Sequence, residues 1–298
     1  GQQRALSIHV VFHFAVFDKS VTPRAREYGK QVLSAIQEMN PHRIRLHATT
    51  HSLAQQLSAV GVSANTIPYP TRLRQLSRST IIESHNDKVG KACRSPLKVL
   101  LAGMPRAEKG RDQIRSLLES IETNQLRSGR LVWSMQLPSK RWERMIPKTM
   151  HDLYHEAVVD SNNGALEVMQ GNLTSENYHR WLDSADIGLF LYDPDRYAAR
   201  CSGVLLEMMI RGVPVIVPNR CWLADQVRQA DESHPIGWIY DSTDDIPTIL
   251  LNLEQDLPLV RQNCLRHAQH IAVVHSGRNT MQQMGISDQG LQSRKAAG

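Results

Sequence analysis

Aromatic residues are scarce in this sequence, 5% of its 298 positions, and no basic–aromatic interleaving of the kind that tracks single-stranded nucleic acid is visible. The four cysteines, Cys93, Cys201, Cys221 and Cys264, are widely spaced and form no C-x-x-C pair. That spacing argues against a zinc site and fits a reducing, cytoplasmic setting better than a disulfide framework. No run approaches the roughly 18–20 apolar residues of a membrane span. No secretory signal stands out. The chain opens with Gly1-Gln2-Gln3-Arg4 and passes straight into an apolar run, and the absence of a leading Met reads as a processed, tagged or truncated start. Neither G-x-G-x-x-G nor a P-loop occurs, so nicotinamide and ATP readings lose their usual support. No Ser-His-Asp or Cys-His arrangement follows from spacing.

What is present is an ordinary globular balance, 41% hydrophobic and 21% charged, with a net charge of +6. The basic excess admits anionic partners: sugar nucleotides, nucleic acid or an anionic membrane face. The basic residues are dispersed, which speaks against nucleic acid as the partner.

Apolar runs alternate with helical patterns throughout. In the first half, strands are expected at Ala5–Phe14 (buried on both faces), Arg43–Thr49 and Val62–Ile67, with helices at Pro23–Met39 and Ser52–Val60. Thr71–Ser95 is polar and basic and reads as a connection. The second half gives strands at Leu97–Ala102, Arg130–Met135, Ala165–Met169, Ile187–Tyr192, Val213–Val217 and Trp238–Tyr240. Helices are expected near Arg111–Glu122, Lys148–Val158, Ser175–Ser184, Gly203–Arg211, Trp222–Gln229, Asp244–Asn252 and Leu257–Val274. The order β-α-β implies parallel sheets of α/β class. The division is 1–95 as a partial N-terminal domain with its connection, 96–275 as a complete doubly wound domain, and 276–298 as a mobile tail.

Such sheets take ligands at the carboxyl ends of their strands, and four stretches fall there. Asp186–Pro218 reads as strand, loop, helix, turn and strand. Ser202 is a good N-cap, and Ser202, Gly203 and Val204 place backbone N–H groups at a helix start, where an anion such as a phosphate or diphosphate is favoured. Glu207 follows on the same face, with Leu205, Leu206, Met209 and Ile210 expected on the buried stripe; a carboxylate there can accept from a ribose diol. The same stretch would equally serve as an ordinary capped helix with a solvated Glu. Gly103-x-x-Arg106-x-x-Lys109-Gly110 offers a guanidinium fork and an ammonium to phosphate oxygens. Gly171-Asn172-Leu173 precedes an N-cap at Thr174 and can border a nucleobase, or be a plain strand-to-helix turn. His13 ends the first strand, as a general acid or phosphate donor or as a structural histidine, one of 13. Asp193-Pro194-Asp195 resembles a D-x-D metal motif but is broken by proline, and no metal is expected.

Taken together, A-G-M-P-R-A-E-K-G (102–110), G-N-L-T-S-E-N-Y-H-R-W-L-D-S-A-D-I-G-L-F-L-Y (171–192) and S-G-V-L-L-E-M-M-I-R-G-V-P-V-I-V-P (202–218) resemble, in order and spacing, the donor-binding domain of GT-B fold glycosyltransferases, most closely the retaining, family 4 type. The resemblance implies two Rossmann-like domains with parallel sheets, the first incomplete, and sugar transfer from a nucleoside diphosphate sugar to an acceptor hydroxyl without a metal or other cofactor. It implies that Arg106, Lys109, Ser202, Gly203 and Val204 hold the donor diphosphate, Glu207 the ribose, that Gly171, Asn172 and Leu173 border the base, and that His13 is catalytic. Two positions depart from the pattern. Ala199 stands where the family often has a Glu eight residues before the helical one, and Ser202 replaces a usual glycine. These bear on stereochemistry and sugar contacts, not on nucleotide binding. A catalytically inactive nucleotide-sugar-binding protein is the alternative. The acceptor (glycan, lipid-linked or small molecule) is not specified, and the basic connection leaves peripheral membrane contact open.

Overall fold

In the computed structural model, residues 7–14, 22–38, 43–71, 96–137, 140–159, 164–228 and 234–286 are described. The basic connection from residue 72 to 95, Cys93 and the expected tail from 287 onward lie outside them. The chain forms two compact units: residues 1–72, 195–203 and 272–298 make the first, and 73–194 with 204–271 the second.

The first unit holds a three-stranded parallel sheet, β1 (Ile8–Phe12), β2 (Ile44–Ala48) and β3 (Asn65–Thr66), in that order. Helices α1 (Pro23–Glu38) and α2 (His51–Ala59) complete its β-α-β-α-β course. Thr50 caps α2 by accepting from the Leu53 amide at 3.0 Å. β1 was expected to be buried on both faces; instead Ile8 is exposed and the rest of the strand is half-buried, and among the described residues β1 lies at the sheet's edge, paired with β2. The core is small: Ala25, Ala48, Leu53, Leu57, Val60 and Val62, joined by Ala199 from far along the chain.

Across the first sheet, His9 Nδ1 and His47 Nε2 lie 3.0 Å apart with the rings stacked. His47 is 1% exposed, and its Nδ1 has no hydrogen-bond partner among the described residues. Burial, the neighbouring His9 and Arg45 all push its pKa below the ordinary 6.5. The unfolded chain therefore binds more protons than the folded one below that value. The stability this contributes is present above pH ~6.5 and is lost as pH falls towards the depressed folded value. Melting curves of the parent and of His47→Gln at pH 7.5 and 5.5 check this: the parent is expected to lose more stability on acidification than the variant.

The second unit is built on a six-stranded parallel sheet, ordered β6-β5-β4-β7-β8-β9. Its strands are β4 (Leu97–Leu101), β5 (Leu131–Leu137), β6 (Leu166–Gln170), β7 (Ile187–Leu189), β8 (Val215–Pro218) and β9 (Gly237–Tyr240). The connecting helices are α3 (Ile114–Ile121), α4 (His151–Val159), α5 (Ser175–Asp183), the single turn α6 (Pro194–Tyr197), α7 (Gly203–Ile210) and α8 (Trp222–Arg228). Strand order reverses between β4 and β7, and ligands of doubly wound sheets enter at that point, beyond the strand ends. The strands are apolar because both faces are covered; Val99, Leu100, Trp133, Ile187, Val215 and Ile216 are fully enclosed.

Two helices expected at Asp244–Asn252 and Leu257–Val274 are a single helix, α9 (Ile246–Val274), with Pro258 inside it. Buried residues recur at Ile246, Leu250, Leu253, Leu257, Val260, Cys264, Ala268 and Ile271. That spacing of three and four runs through the proline without a break, so packing against the sheet outweighs the lost backbone bond. Arg261 of α9 pairs with Asp186, which also accepts from the Lys98 amide at 2.9 Å. The fading pattern after Ser276 conceals a further helix, α10 (Gly277–Gln283), capped by Ser276. In the first unit, His275 Nδ1 bonds the Tyr69 carbonyl (2.8 Å) and Thr280 donates to the Pro68 carbonyl (3.0 Å), fixing the segment after β3. No helix of the described residues is long and apolar enough to cross a membrane.

Candidate functional site

The loop after β4 and the loop after β7 meet at the switch point of the second sheet. Two glycines hold them together. Gly110 has a left-handed φ of 74°, and a Cβ there would stand 2.1 Å from the Leu191 carbonyl oxygen. Only a residue without a side chain can pass so close to the end of β7. The Asp193 amide then donates to the Glu108 carbonyl at 3.1 Å. Gly103, with φ 95°, leaves room for the Lys109 ammonium: a Cβ at 103 would lie 3.1 Å from Lys109 Nζ and 4.0 Å from Val204 Cγ2. The same ammonium stands 5.1 Å from the centre of the Tyr192 ring, a cation–π distance. Lys109, Gly103 and the first turn of α7 beyond Gly203 thus share one place. Arg106 opens the short helical turn Ala107–Lys109. Its side chain is exposed, with Glu108 at a loose 3.9 Å.

Helix α7 buries Leu205, Leu206, Met208 and Met209. Ile210 was expected on this stripe but is half-buried, and Met208 takes a core place instead. The remaining face, Gly203, Val204, Glu207 and Ile210, is half-buried at the helical spacing of three and four. Glu207 is therefore not sealed in hydrocarbon. Its Oε2 accepts from the Tyr178 hydroxyl of α5 at 2.8 Å. Arg211, 8% exposed at its side chain, ties the two helices. It donates to the Glu207 carbonyl (2.7 Å) and to Asp183 Oδ1 (2.7 Å), and it lies 2.9 Å from His179 Nδ1. Burial, reinforced by the Glu207 charge, pushes the Tyr178 phenol far above its ordinary value. It remains a donor at any physiological pH.

The Gly171–Leu173 turn ends β6, one strand removed from β4 across β5. The Gly171 carbonyl accepts from Gln136 Nε2 at 2.7 Å, its φ is 70°, and Thr174 caps α5 from the Asn177 amide. The described contacts do not join this turn to the Gly103–Gly110 loop.

Ser202 and Gly203 belong to the first unit, while Val204 belongs to the second. Within the first unit, a Cβ at Gly203 would meet the Tyr69 ring at 3.4 Å, an ordinary contact. Tyr69 in turn takes the edge of His13, with ring centres 5.5 Å apart. Burial holds the His13 pKa below 6.5, and its Nδ1 has no hydrogen-bond partner among the described residues. Ala199 is 1% exposed, its carbonyl accepting from Thr50 Oγ1 at 2.7 Å. The position where the resemblance calls for a carboxylate is a core position here. Arg200 stands over the rings of Phe14 and Tyr197, 4.8 and 5.0 Å from their centres.

Sequence reasoning passed over Tyr69, Tyr178 and Tyr192. Tyr69 sits in Pro68-Tyr69-Pro70, which reads merely as a strand terminator. Tyr178 lies within the quoted 171–192 block, four residues past the Thr174 cap, and nothing local links it to Glu207. Among the described residues no group of three or more His, Cys, Asp or Glu side chains is placed to hold a metal ion.

No family model and no curated protein matches the chain. Solved structures do. The chain matches TarM with a TM-score of 0.60 at 11% identity, over 96% of its own length and 50% of TarM's. Sucrose-phosphate synthase from Thermosynechococcus elongatus gives 0.58 at 16% identity, over 100% and 70% of the two chains. Anabaena HepE, solved in complex with UDP, gives 0.58 at 10%, over 97% and 72%. The fold is that of the GT-B glycosyltransferases. This GT-B chain spans half the length of TarM, and at these identities the likeness is one of fold.

Proposed function

We propose that this chain is a glycosyltransferase that moves a sugar from a nucleoside diphosphate sugar to an acceptor hydroxyl. The observation that carries the reading is the meeting, at the sheet's switch point, of a basic loop with the start of α7, where Lys109 Nζ packs against Gly103 and Val204 flanks the same spot. Within the second unit, a diphosphate placed there faces the Lys109 ammonium, the Arg106 guanidinium and the Val204 amide; the amides of Ser202 and Gly203 join them by the motif resemblance. Glu207 lies one turn further along the helix for the ribose. The Gly171, Asn172 and Leu173 turn borders the base, and His13 takes the catalytic role that the motif resemblance implies. HepE, a structural neighbour, binds UDP, and another, trehalose-6-phosphate synthase, was solved to study enzymatic glycosyltransfer with retention. Both support the donor class. The family 4 type rests on the motifs alone.

In the reaction the bond from the anomeric carbon to the diphosphate oxygen breaks, a bond to the acceptor oxygen forms, and the acceptor's proton passes to the departing diphosphate. Negative charge collects on the departing diphosphate. Fixed cations and helix-start amides stabilise it most where it is largest, in the transition state, so the side chains supply the neutralisation a metal would otherwise give. Donor hydrolysis and transfer, measured over a panel of nucleotide sugars, test the reading. Lys109→Ala is expected to lower turnover by about 100-fold. Turnover equal to the parent's rejects the assigned role.

One observation favours a second reading, a nucleotide-sugar-binding protein without turnover: the place of the first carboxylate is filled by Ala199, enclosed in the first unit's core. Calorimetry beside the turnover assay separates the two, since binding without turnover selects the second.

A further inference from the structure

The ribose contact assigned to Glu207 leaves open what aims its carboxylate. A glutamate on a half-buried helix face has several rotamers available, and a carboxylate free to turn loses part of its hydrogen-bond strength to ordering. Here one oxygen is engaged: Tyr178 donates to Oε2 at 2.8 Å. For Oε1 no partner is found among the described residues. The donor is itself held in place. Thr174 caps the start of α5, the Tyr178 ring packs tilted against Trp181 with centres 6.4 Å apart, and Trp181 Nε1 bonds Ser134 Oγ of β5 at 2.7 Å. Arg211 clamps the end of α5 to α7 through Asp183 and the Glu207 carbonyl. Every link between the sheet and the Glu207 carboxylate is thereby a packed ring or a hydrogen bond.

We infer that Tyr178 is a positioning residue for nucleoside recognition: it fixes one oxygen of Glu207 and turns the other, Oε1, towards the vicinal hydroxyls of a ribose. This rests on the nucleotide-sugar reading and adds to it a source of ribose over deoxyribose selectivity.

The test is calorimetry on the full chain with UDP, GDP and ADP, followed by the 2′-deoxy and 3′-deoxy forms of whichever binds. For the intact chain, loss of a contacted hydroxyl is expected to weaken binding about tenfold. In Tyr178→Phe, which keeps the ring, the ribo-to-deoxy ratio is expected to shrink severalfold while the affinity for the deoxy form stays near the parent's. In a Glu207→Gln background, Tyr178→Phe should alter that ratio no further. A purely structural role for Tyr178 would weaken ribo and deoxy forms alike. That outcome, or an unchanged ratio in Tyr178→Phe, overturns the inference and leaves the nucleotide reading standing. Equal binding of ribo and deoxy forms by the intact chain removes the Glu207 role and the inference together. Failure of the intact chain to bind any of the three nucleotides overturns the nucleotide reading itself.

Discussion

Gly110→Ala is expected to destabilise the second unit by about 3 kcal/mol, from a left-handed backbone forced on an L-residue and from a side chain driven into packed backbone. The added Cβ would stand 2.1 Å from the Leu191 oxygen and 2.4 Å from the Leu191 Cβ. Neither neighbour can swing aside, since both belong to the chain leaving the central strand β7. The collision must move the loop, and with it Lys109 and the Glu108 carbonyl that receives the Asp193 amide. Nucleotide affinity should fall with stability. Gly129→Ala is the control. Its φ of 72° is nearly the same, yet a Cβ there would meet nothing within 4 Å, so it isolates the backbone cost of about 1–2 kcal/mol. Thermal melts of the two variants check this; equal melting temperatures would show that the close approach to Leu191 does not constrain the loop.

Ala199→Glu, which restores the carboxylate that the motif resemblance calls for, is expected to destabilise the first unit by about 3 kcal/mol or more and to add no activity. The side chain would enter the apolar cluster of Ala25, Ala48, Leu53, Leu57, Val60 and Val62. Burial raises the carboxyl's folded pKa above the unfolded value of about 4.3. The folded state then holds a proton that the unfolded state has shed, so the penalty grows as pH rises from that value towards the folded pKa. Urea denaturation at pH 4.5 and pH 7 measures it, and a penalty independent of pH would mean that the carboxylate has found its way to solvent.

The parallel α/β architecture was legible because the strands of a doubly wound sheet are short apolar runs set between punctuated helices. Ile187–Leu189 and Val215–Pro218 are of this kind. The loops at the switch point were legible because glycines and basic residues cluster there. What escaped notice was set by distance along the chain. Nothing near Pro258 announces that the apolar stripe of α9 continues past it. The Tyr178–Glu207 bond spans 29 residues and joins two helices on either side of a strand. Ala199 reads as a missing acid. Its meaning as a core residue appears only when Leu53 and Leu57, which arrive from another part of the sequence, are packed beside it.

The allocation of chain between the two units has an evolutionary corollary. The first unit draws on three separate stretches, and the polypeptide passes from one unit to the other four times, near residues 72, 194, 203 and 271. A gene fusion that swapped in a foreign opening half would bring neither the Ala199 segment nor the closing stretch around His275 and Thr280. The first unit is therefore not transferable by a single cut in the gene: its closing pieces are encoded after most of the second unit.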